Sequence, residues 1–324
     1  MVLNILRKLF AFGLALFYAF GGVKIDPSVQ EPMLPENGSK LSVVCWADPQ
    51  ISNYIFKRVP YFDAACKDVG NSIGTFDALL IAGDITENAN LVEYDHVKTQ
   101  IPVGKFRNYI MAVGNHDVRI RSYRQVTDRF TGFTNDLNGD EHVKSSLRID
   151  ALHYKYAIKG YTFIVLGTDS TEFEESDLSP AQLKWLDDSL AEAAVDGKPV
   201  FVTVHQPLKD THGLPGTWNS PVDSAGSVGE SSDQLREILC KYKNVILLTG
   251  HLHTGFGKYT YEQIGSVHSI NLPSLTIDNQ DGRVNGGGLG FWMEVFEDHV
   301  TFHARDFSHG ENLPKEDIII RLEK

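Results

Sequence analysis

The sequence has few cysteines and few positive charges. Cys45, Cys66 and Cys240 are too few and too scattered for a disulfide framework, and none lies in a C-x-x-C motif typical of a thiolate zinc site. We expect three buried, small apolar side chains, with one disulfide-bonded pair as the alternative in an exported protein.

Thirty basic against 42 acidic residues give a net charge of −12. The overall field therefore excludes binding of nucleic acid or of an anionic membrane, and an anionic substrate requires a local cation.

Some enzyme motifs are missing as well. The H-E-x-x-H motif of zinc proteases is absent, and the glycine run 286–288 lacks the Lys-Ser/Thr that completes a phosphate-binding P-loop. With 42% hydrophobic residues in 324, the composition is that of a globular protein, and it excludes collagen-like, mucin-like and wholly disordered chains.

The first 22 residues differ from the rest of the chain. Arg7 and Lys8 precede an uncharged apolar stretch over 9–22, which at about 14 residues is short for a transmembrane helix. The pattern is typical of a signal peptide with cleavage after Gly21, and an uncleaved N-terminal anchor is the alternative. Both alternatives place the remaining chain outside the cytoplasm, as a secreted, periplasmic or membrane-anchored protein. Contact with a membrane is expected only through an uncleaved segment.

The remaining chain divides into a linker and one domain. Residues 23–40 are rich in proline and predict an extended linker, and 41–324 form the domain that carries the chemistry. Unbroken aliphatic and β-branched runs predict strands with both faces covered, at 41–47, 78–82, 108–113, 154–158, 162–167, 199–204 and 244–249. Helices are expected near 59–72, 90–101, 179–195 and 232–242, and further strands near 259–261, 267–271, 291–297, 300–305 and 318–322. This order predicts an α/β sandwich of two sheets packed between helices.

Polar side chains of the kinds that bind metals follow five of the predicted strands. Open α/β sheets build their sites at the carboxyl ends of strands, so five such blocks in order indicate one site. The blocks are Asp48-Pro49-Gln50, Gly83-Asp84, Gly114-Asn115-His116-Asp117, His205 and Gly250-His251-Leu252-His253.

The order and spacing of the blocks resemble the calcineurin-like metallophosphoesterase superfamily, whose pattern is D-x-H, G-D, G-N-H-[DE], H and G-H-x-H. The resemblance runs from about residue 41 to residue 307. It implies a four-layer αββα sandwich of two mixed sheets flanked by helices, with a centre of two divalent metal ions. It also implies hydrolysis of a phosphoric monoester or diester, a small-molecule substrate, by a metal-bound hydroxide. The alternative is a non-catalytic metal-binding scaffold of the same fold.

The resemblance also implies a role for each matching residue. Asp84 is expected to bridge the two metals, since paired cations need an anionic bridge. One metal is expected on Asp48 and His253, and the other on Asn115, His205 and His251. His116 is expected to face the substrate and to protonate the leaving oxygen or stabilise its charge, with Asp117 orienting the imidazole.

Gln50 departs from the pattern, because it stands where the family usually has the histidine of D-x-H. An amide oxygen is a neutral, hard and weak ligand, so the first site is expected to favour Mn²⁺ or Fe²⁺, with Mg²⁺ or Zn²⁺ as further candidates. Direct ligation by Gln50, contact through water, and a role in orienting the nucleophile all stay open. A second difference is Glu87, which stands where purple acid phosphatases have a tyrosine ligand.

Residues that select the substrate are expected in the long loop 206–231 and just after His116. Trp218 is expected either to stack on an aromatic group of the substrate or to pack the loop onto the body, and His212 to be solvated. Arg119 is expected either to attract the anionic substrate or to lie on a solvated helix. The remaining histidines are not grouped with other metal-binding residue types in the sequence, and we expect them to be surface or core residues: His96, His142, His153, His268, His299, His303 and His309.

Overall fold

The computed structural model of the protein describes residues 2–27, 31–143, 145–171, 174–195, 197–218 and 225–323. Its strands, numbered in chain order, are β1 Leu41–Trp46, β2 Ala78–Ala82, β3 Tyr109–Ala112, β4 Tyr154–Ile158, β5 Tyr161–Val165, β6 Val200–Thr203, β7 Val245–Thr249, β8 Tyr261–Ile264, β9 Val267–Asn271, β10 Leu289–Val295, β11 His299–Asp306, β12 Glu311–Asn312 and β13 Ile318–Arg321. The α-helices are α1 Val2–Ala19, α2 Val59–Gly70, α3 Leu91–Gln100, α4 Asn115–Val118, α5 Tyr123–Asn138, α6 Pro180–Ala193 and α7 Ser232–Leu239.

The strands form two mixed sheets. The first has the order β12-β11-β10-β1-β2-β3, with β13 also paired to β11, and the second has the order β4-β5-β6-β7-β9-β8. Strands β1, β2 and β3 run parallel, as do β5, β6, β7 and β9. Parallel neighbours end at the same edge of a sheet, so the loops that follow β1, β2 and β3 lie side by side.

Helices cover the outer face of each sheet, and the inner faces pack on each other. In β6, Phe201 points inward into the large core shared by both sheets. Its neighbours Val200 and Val202 point outward, onto apolar side chains of α6 and α7. On the first sheet, Trp46 meets Phe62 of α2 edge to face, with ring centroids 6.1 Å apart. All residues of β1, β2, β3, β6 and β7 are buried, as both-face coverage requires. The predicted αββα sandwich is confirmed.

The element boundaries differ from the predicted ones mainly at two places. Helices α4 and α5 lie outside the predicted helical ranges. The backbone of Ile120 has a φ of +58°, which separates the two helices, and the Ser122 hydroxyl caps α5 by accepting from the amide of Gln125. The strand expected at 259–261 lies at Tyr261–Ile264 instead, because Thr260 closes a turn with Gly257. Cys45 and Cys66 are buried as expected, whereas Cys240 is half-buried.

The N-terminal residues pack on the domain. Within the described chain, α1 is the one helix long and apolar enough to cross a membrane. It lies on the body through Phe10, which contacts Val59 and Val92, and through the ion pair of Arg7 with Asp95. Its role as a signal peptide or anchor stays a prediction, as do the boundaries of the linker and the domain.

Candidate metal centre

The five sequence blocks meet at one edge of the sandwich. Asp48, Asp84 and Asn115 follow β1, β2 and β3 of the first sheet, and His205 and His251 follow β6 and β7 of the second. One ligand atom each from Asp84, His205 and His251 lie within 4.8 Å of one another. His253 joins them through Nε2, which lies 3.1 Å from Asp48 Oδ1. The structure therefore places these predicted residues in a single site between the two sheets.

The backbone of this site is unusual. Five of its residues have left-handed φ values, which non-glycine residues rarely adopt and which cost free energy. They are Asp48 at +51°, Gln50 at +36°, Asp84 at +49°, His251 at +73° and His253 at +50°. Strained backbone of this kind clusters at functional sites, where the surrounding structure holds it in place. Each sharp turn at a strand end points a polar side chain back into the site.

Two glycines permit the close approach of these turns. A Cβ atom at Gly114 would lie 2.2 Å from Asp84 Oδ1, and one at Gly83 would lie 2.4 Å from His205 Nδ1. A larger residue at either position would displace a predicted ligand. The G-D and G-N-H-D blocks therefore require glycine at these positions because a side chain would not fit, and not only because glycine permits a turn.

Asp84 and His205 form the electrostatic centre of the site. Both are buried, and His205 Nε2 lies 3.2 Å from Asp84 Oδ2 and 3.6 Å from Asp48 Oδ1. Burial alone would lower the pKa of His205, but the carboxylates of Asp84 and Asp48 outweigh it and raise the pKa to about 10. Burial raises the pKa of Asp84, yet the neighbouring imidazoles of His205 and His116 hold it well below its ordinary value. The pocket therefore has a strongly negative field that favours cations.

The ligand atoms of the site suit metal ions. His205 Nδ1 donates to the carbonyl oxygen of Ala82 at 2.7 Å, so Nε2 is the nitrogen that binds a cation once that cation replaces its proton. Burial and the neighbouring His205 lower the pKa of His251 well below its usual value, so that its imidazole is neutral, as a ligand must be. Four of the predicted ligand atoms are buried without a hydrogen-bond partner among the described residues: Gln50 Oε1, Asn115 Oδ1, His205 Nε2 and His251 Nε2. Buried polar atoms are rarely left unsatisfied, and an oxygen and nitrogen set of this kind fits divalent cations.

Gln50 lies inside the site rather than at its rim. Its Nε2 donates to Asp84 Oδ2 at 2.8 Å, and its buried Oε1 has no hydrogen-bond partner in the part of the chain that the structure describes. The amide thus holds the predicted bridging carboxylate and turns its oxygen into the pocket. Direct ligation by this oxygen stays a prediction.

His116 borders the metal ligands, but its partner differs from the expected one. Its Nε2 lies 4.0 Å from Asp84 Oδ2, and its Nδ1 lies 3.4 Å from Glu87 Oε2. Glu87 also pairs with the guanidinium groups of Arg58 and Arg119. Burial raises the pKa of Glu87, but His116 and Arg58 outweigh it and lower the pKa to about 2. An ionised carboxylate therefore stands behind the imidazole.

The prediction that Asp117 orients His116 is wrong. The buried Asp117 carboxylate accepts hydrogen bonds from the amides of Ile85, Thr86 and Gly114 and from the Thr86 hydroxyl, at 2.8–3.1 Å. These bonds tie the turn after β2 to the turn after β3. Asp117 thus fixes the backbone that presents Asp84 and Asn115, and Glu87 takes the place beside the histidine.

Other residues near the site were predicted only in part. Arg119 does not lie on a solvated helix, because its side chain pairs with Glu87 beside His116. The Trp218 indole stacks on His251, with ring centroids 4.2 Å apart, so it packs its loop onto a predicted ligand. Contact of Arg119 or Trp218 with a substrate stays a prediction. His212 is buried rather than solvated, because its ring nitrogens bond to the carbonyl of Tyr259 and to the Ser269 hydroxyl.

Two acidic residues of the site were not predicted. For Glu87, the sequence indicates only that it replaces a tyrosine ligand, and not that it lies beside His116. The Glu174 carboxylate lies 4.0 Å from His251 Nε2, but Glu174 follows no predicted strand. The sequence signal for Glu87 was its place three residues after Asp84. Nothing in the sequence indicated Glu174.

Comparison with known proteins agrees with this geometry. The family model described as calcineurin-like phosphoesterase matches residues 49–255. A dimetal phosphatase from Danio rerio has a similar structure, with a TM-score of 0.58 and 13% identity, covering 88% of this chain and 100% of that chain. A purple acid phosphatase from yellow lupin seeds has a TM-score of 0.57 and 14% identity, covering 89% of this chain and 55% of that chain. At these identities the likeness establishes the fold alone. No curated protein has a sequence that matches this chain.

Proposed function

Because the chain belongs to the calcineurin-like phosphoesterase family, we propose that it is a metal-dependent hydrolase of a phosphoric monoester or diester. The observation that carries this proposal is the convergence, at one edge of the sandwich, of side chains from five strand ends into a negative, buried pocket. A pocket of that charge attracts cations, and bound cations supply the attraction for a phosphate that the acidic chain lacks overall.

We propose that two divalent cations occupy the pocket. Asp84, Asp48, Gln50, Asn115, His205, His251 and His253 would hold them, with Asp84 as the carboxylate shared by both. Bound cations of this kind supply Lewis acidity, which activates water for attack on phosphorus and offsets the charge of the phosphate oxygens. The neutral oxygen of Gln50 favours Mn²⁺ or Fe²⁺, with Mg²⁺ and Zn²⁺ as weaker candidates.

His116 is proposed as the residue that transfers a proton to the leaving oxygen. Burial lowers its pKa, but Asp84 and Glu87 outweigh burial and raise it, so the imidazolium form is available near neutral pH. Glu87 holds Nδ1 and thereby leaves Nε2 directed toward the metal pocket. Arg119, on the other side of Glu87, and Trp218, at His251, are the proposed contacts for the substrate.

The test is an assay with p-nitrophenyl phosphate and bis-p-nitrophenyl phosphate after metal removal and reloading with Mn²⁺. His116→Ala is expected to lower kcat by about 10²–10⁴-fold with bound metal unchanged. Asp84→Ala and Asn115→Ala are expected to lose metal together with activity. Absence of turnover on every phosphoester tried, with metal demonstrably bound, would favour the non-catalytic scaffold.

We further propose that the protein is exported and acts on a small phosphoester, without nucleic acid as a partner. The apolar helix α1 and the acidic charge of the chain support this proposal. The mass of the protein recovered from a secreting host tests it. A chain that begins at residue 22 indicates signal cleavage, and an intact chain in the membrane fraction indicates an anchor.

A further inference from the structure

A second group of ligand-type side chains lies on the outer face of the first sheet, away from the centre described above. Ligand atoms of Glu36, Glu294 and His303 lie within 4.8 Å of one another. Glu294 in β10 is paired in register with Ser42 at the start of β1, whereas Asp48 follows the end of the same strand. Six residues of extended chain span about 20 Å, so the two sites are well separated.

The hydrogen bonds around His303 direct one ring nitrogen toward Glu294. Asp317 accepts from the amide of Ala304 at 2.9 Å, and its other oxygen lies 3.3 Å from His303 Nδ1. The ring is also held by Trp292, which stacks on it with centroids 4.3 Å apart. A carboxylate behind one nitrogen leaves the other nitrogen to bind a cation that replaces its proton, as in carboxylate–histidine–metal arrangements.

A buried carboxylate oxygen faces the other ring nitrogen of His303. His303 Nε2 lies 3.4 Å from Glu294 Oε2, and neither atom has a hydrogen-bond partner among the described residues. The Glu294 side chain is 0% exposed, and its other oxygen accepts from the amide of Glu36 at 2.9 Å. A buried carboxylate is costly unless a positive charge lies beside it. The His303 imidazolium supplies that charge in metal-free protein, and a cation bound in place of its proton would supply it as well.

The spacing suits a metal better than a direct contact. In a tetrahedral site with ligand bonds of about 2.0–2.2 Å, neighbouring ligand atoms lie about 3.3–3.6 Å apart. One imidazole and two carboxylates are a ligand set that Zn²⁺ accepts, with a fourth position left for water. Burial lowers the pKa of His303, but Asp317 and Glu294 outweigh burial and raise it to about 9, which reflects the negative field at this position.

We propose that Glu36, Glu294 and His303 form a separate binding site for a divalent cation of the Zn²⁺ class. His303 was expected to be a surface or core residue, and the fold brings it beside two carboxylates that the sequence did not associate with it. The site joins the segment 31–40 to strands β10 and β11. Glu31 lies on the same segment, and its carbonyl accepts from Arg305 at 2.9 Å. A bound cation would thus tie the N-terminal segment to the sheet and stabilise the folded chain.

Elemental analysis of the full chain tests the proposal, after removal of metal and reloading with Zn²⁺. We expect His303→Gln and Glu36→Gln to bind one Zn²⁺ fewer per chain than the unmodified protein. The matched control is His299→Gln, since His299 also lies on β11 and contacts a carboxylate, that of Asp298 at 2.6 Å. This control is expected to retain the full zinc content.

Crystals of the unmodified protein soaked in Zn²⁺ provide a readout that does not depend on the folding of a variant. An anomalous peak between Glu294 and His303 supports the proposal. Equal zinc content in His303→Gln and the unmodified protein, or no anomalous peak at this position, would overturn it and leave a protonated His303 between two carboxylates. Since the readout is a difference of one ion, it is independent of phosphoesterase activity.

Discussion

Glu87 Oε2 lies 3.4 Å from His116 Nδ1, on the side of the imidazole away from the metal pocket. This carboxylate is itself fixed by Arg58 and Arg119. The histidine is therefore oriented by a residue from the turn after β2, although the sequence motif supplies an aspartate at the very next position. Two side chains that sequence proximity would pair are separated by the fold.

Glu87→Gln is expected to lower kcat by about 10–100-fold, because an amide orients the imidazole but does not stabilise its charged form. Metal content should remain that of the unmodified protein. The measurement is steady-state kinetics with elemental analysis, in both the unmodified and the His116→Ala backgrounds. If Glu87→Gln lowers kcat by the same factor in the His116→Ala background as in the unmodified protein, Glu87 acts independently of the histidine.

Asp117→Asn is expected to reduce stability rather than to act on the chemistry directly. An asparagine cannot accept all the amide hydrogen bonds that Asp117 receives from the two turns. Leaving a buried donor unsatisfied costs about 1–3 kcal/mol, which urea unfolding detects. Normal stability combined with a kcat as low as that of His116→Ala would restore the orienting role to Asp117.

Gln50→His is expected to shift the metal preference toward Zn²⁺. The unmodified protein should recover best with Mn²⁺ after metal removal, because the amide is a harder ligand than imidazole. The ratio of Mn²⁺-supported to Zn²⁺-supported activity should therefore fall in the variant. Equal or better recovery of the unmodified protein with Zn²⁺ alone would contradict a ligand role for Gln50.

In metal-free protein, His303 is expected to make stability depend on pH. The groups that face it are Glu294, Asp317 and Glu36. Burial lowers the pKa of His303, but Asp317 and Glu294 outweigh burial and raise it from 6.5 to about 9. A raised pKa contributes stability that is fully present below about pH 6.5 and is lost as pH rises through about 9. Denaturant unfolding in a chelator, from pH 6 to pH 10, should show this loss in the unmodified protein and a smaller one in His303→Gln. If the free energy of unfolding depends on pH in the same way in both proteins, the ion pairs of His303 contribute nothing to stability.

The sequence predicted which side chains meet at this edge of the sandwich because they follow strands. Runs such as 78–82 identify buried strands, and parallel strands bring the residues after them, Asp84 and Asn115, to one edge. The sequence could not predict which carboxylate faces His116, because that depends on the path of the turn after β2 rather than on spacing. The same holds for His303 and Glu36, which a strand and an irregular segment bring together from opposite ends of the chain.

The hydrogen bond from Arg305 to the carbonyl of Glu31 has a consequence for an anchored protein. Were α1 to stay in a bilayer, only residues 20–30 would separate it from this attachment point. Eleven residues at full extension span at most about 40 Å, so the tether would keep the domain within roughly its own diameter of the lipid surface. A membrane-held form would then reach substrates close to the bilayer, whereas signal cleavage would release the same domain to diffuse freely.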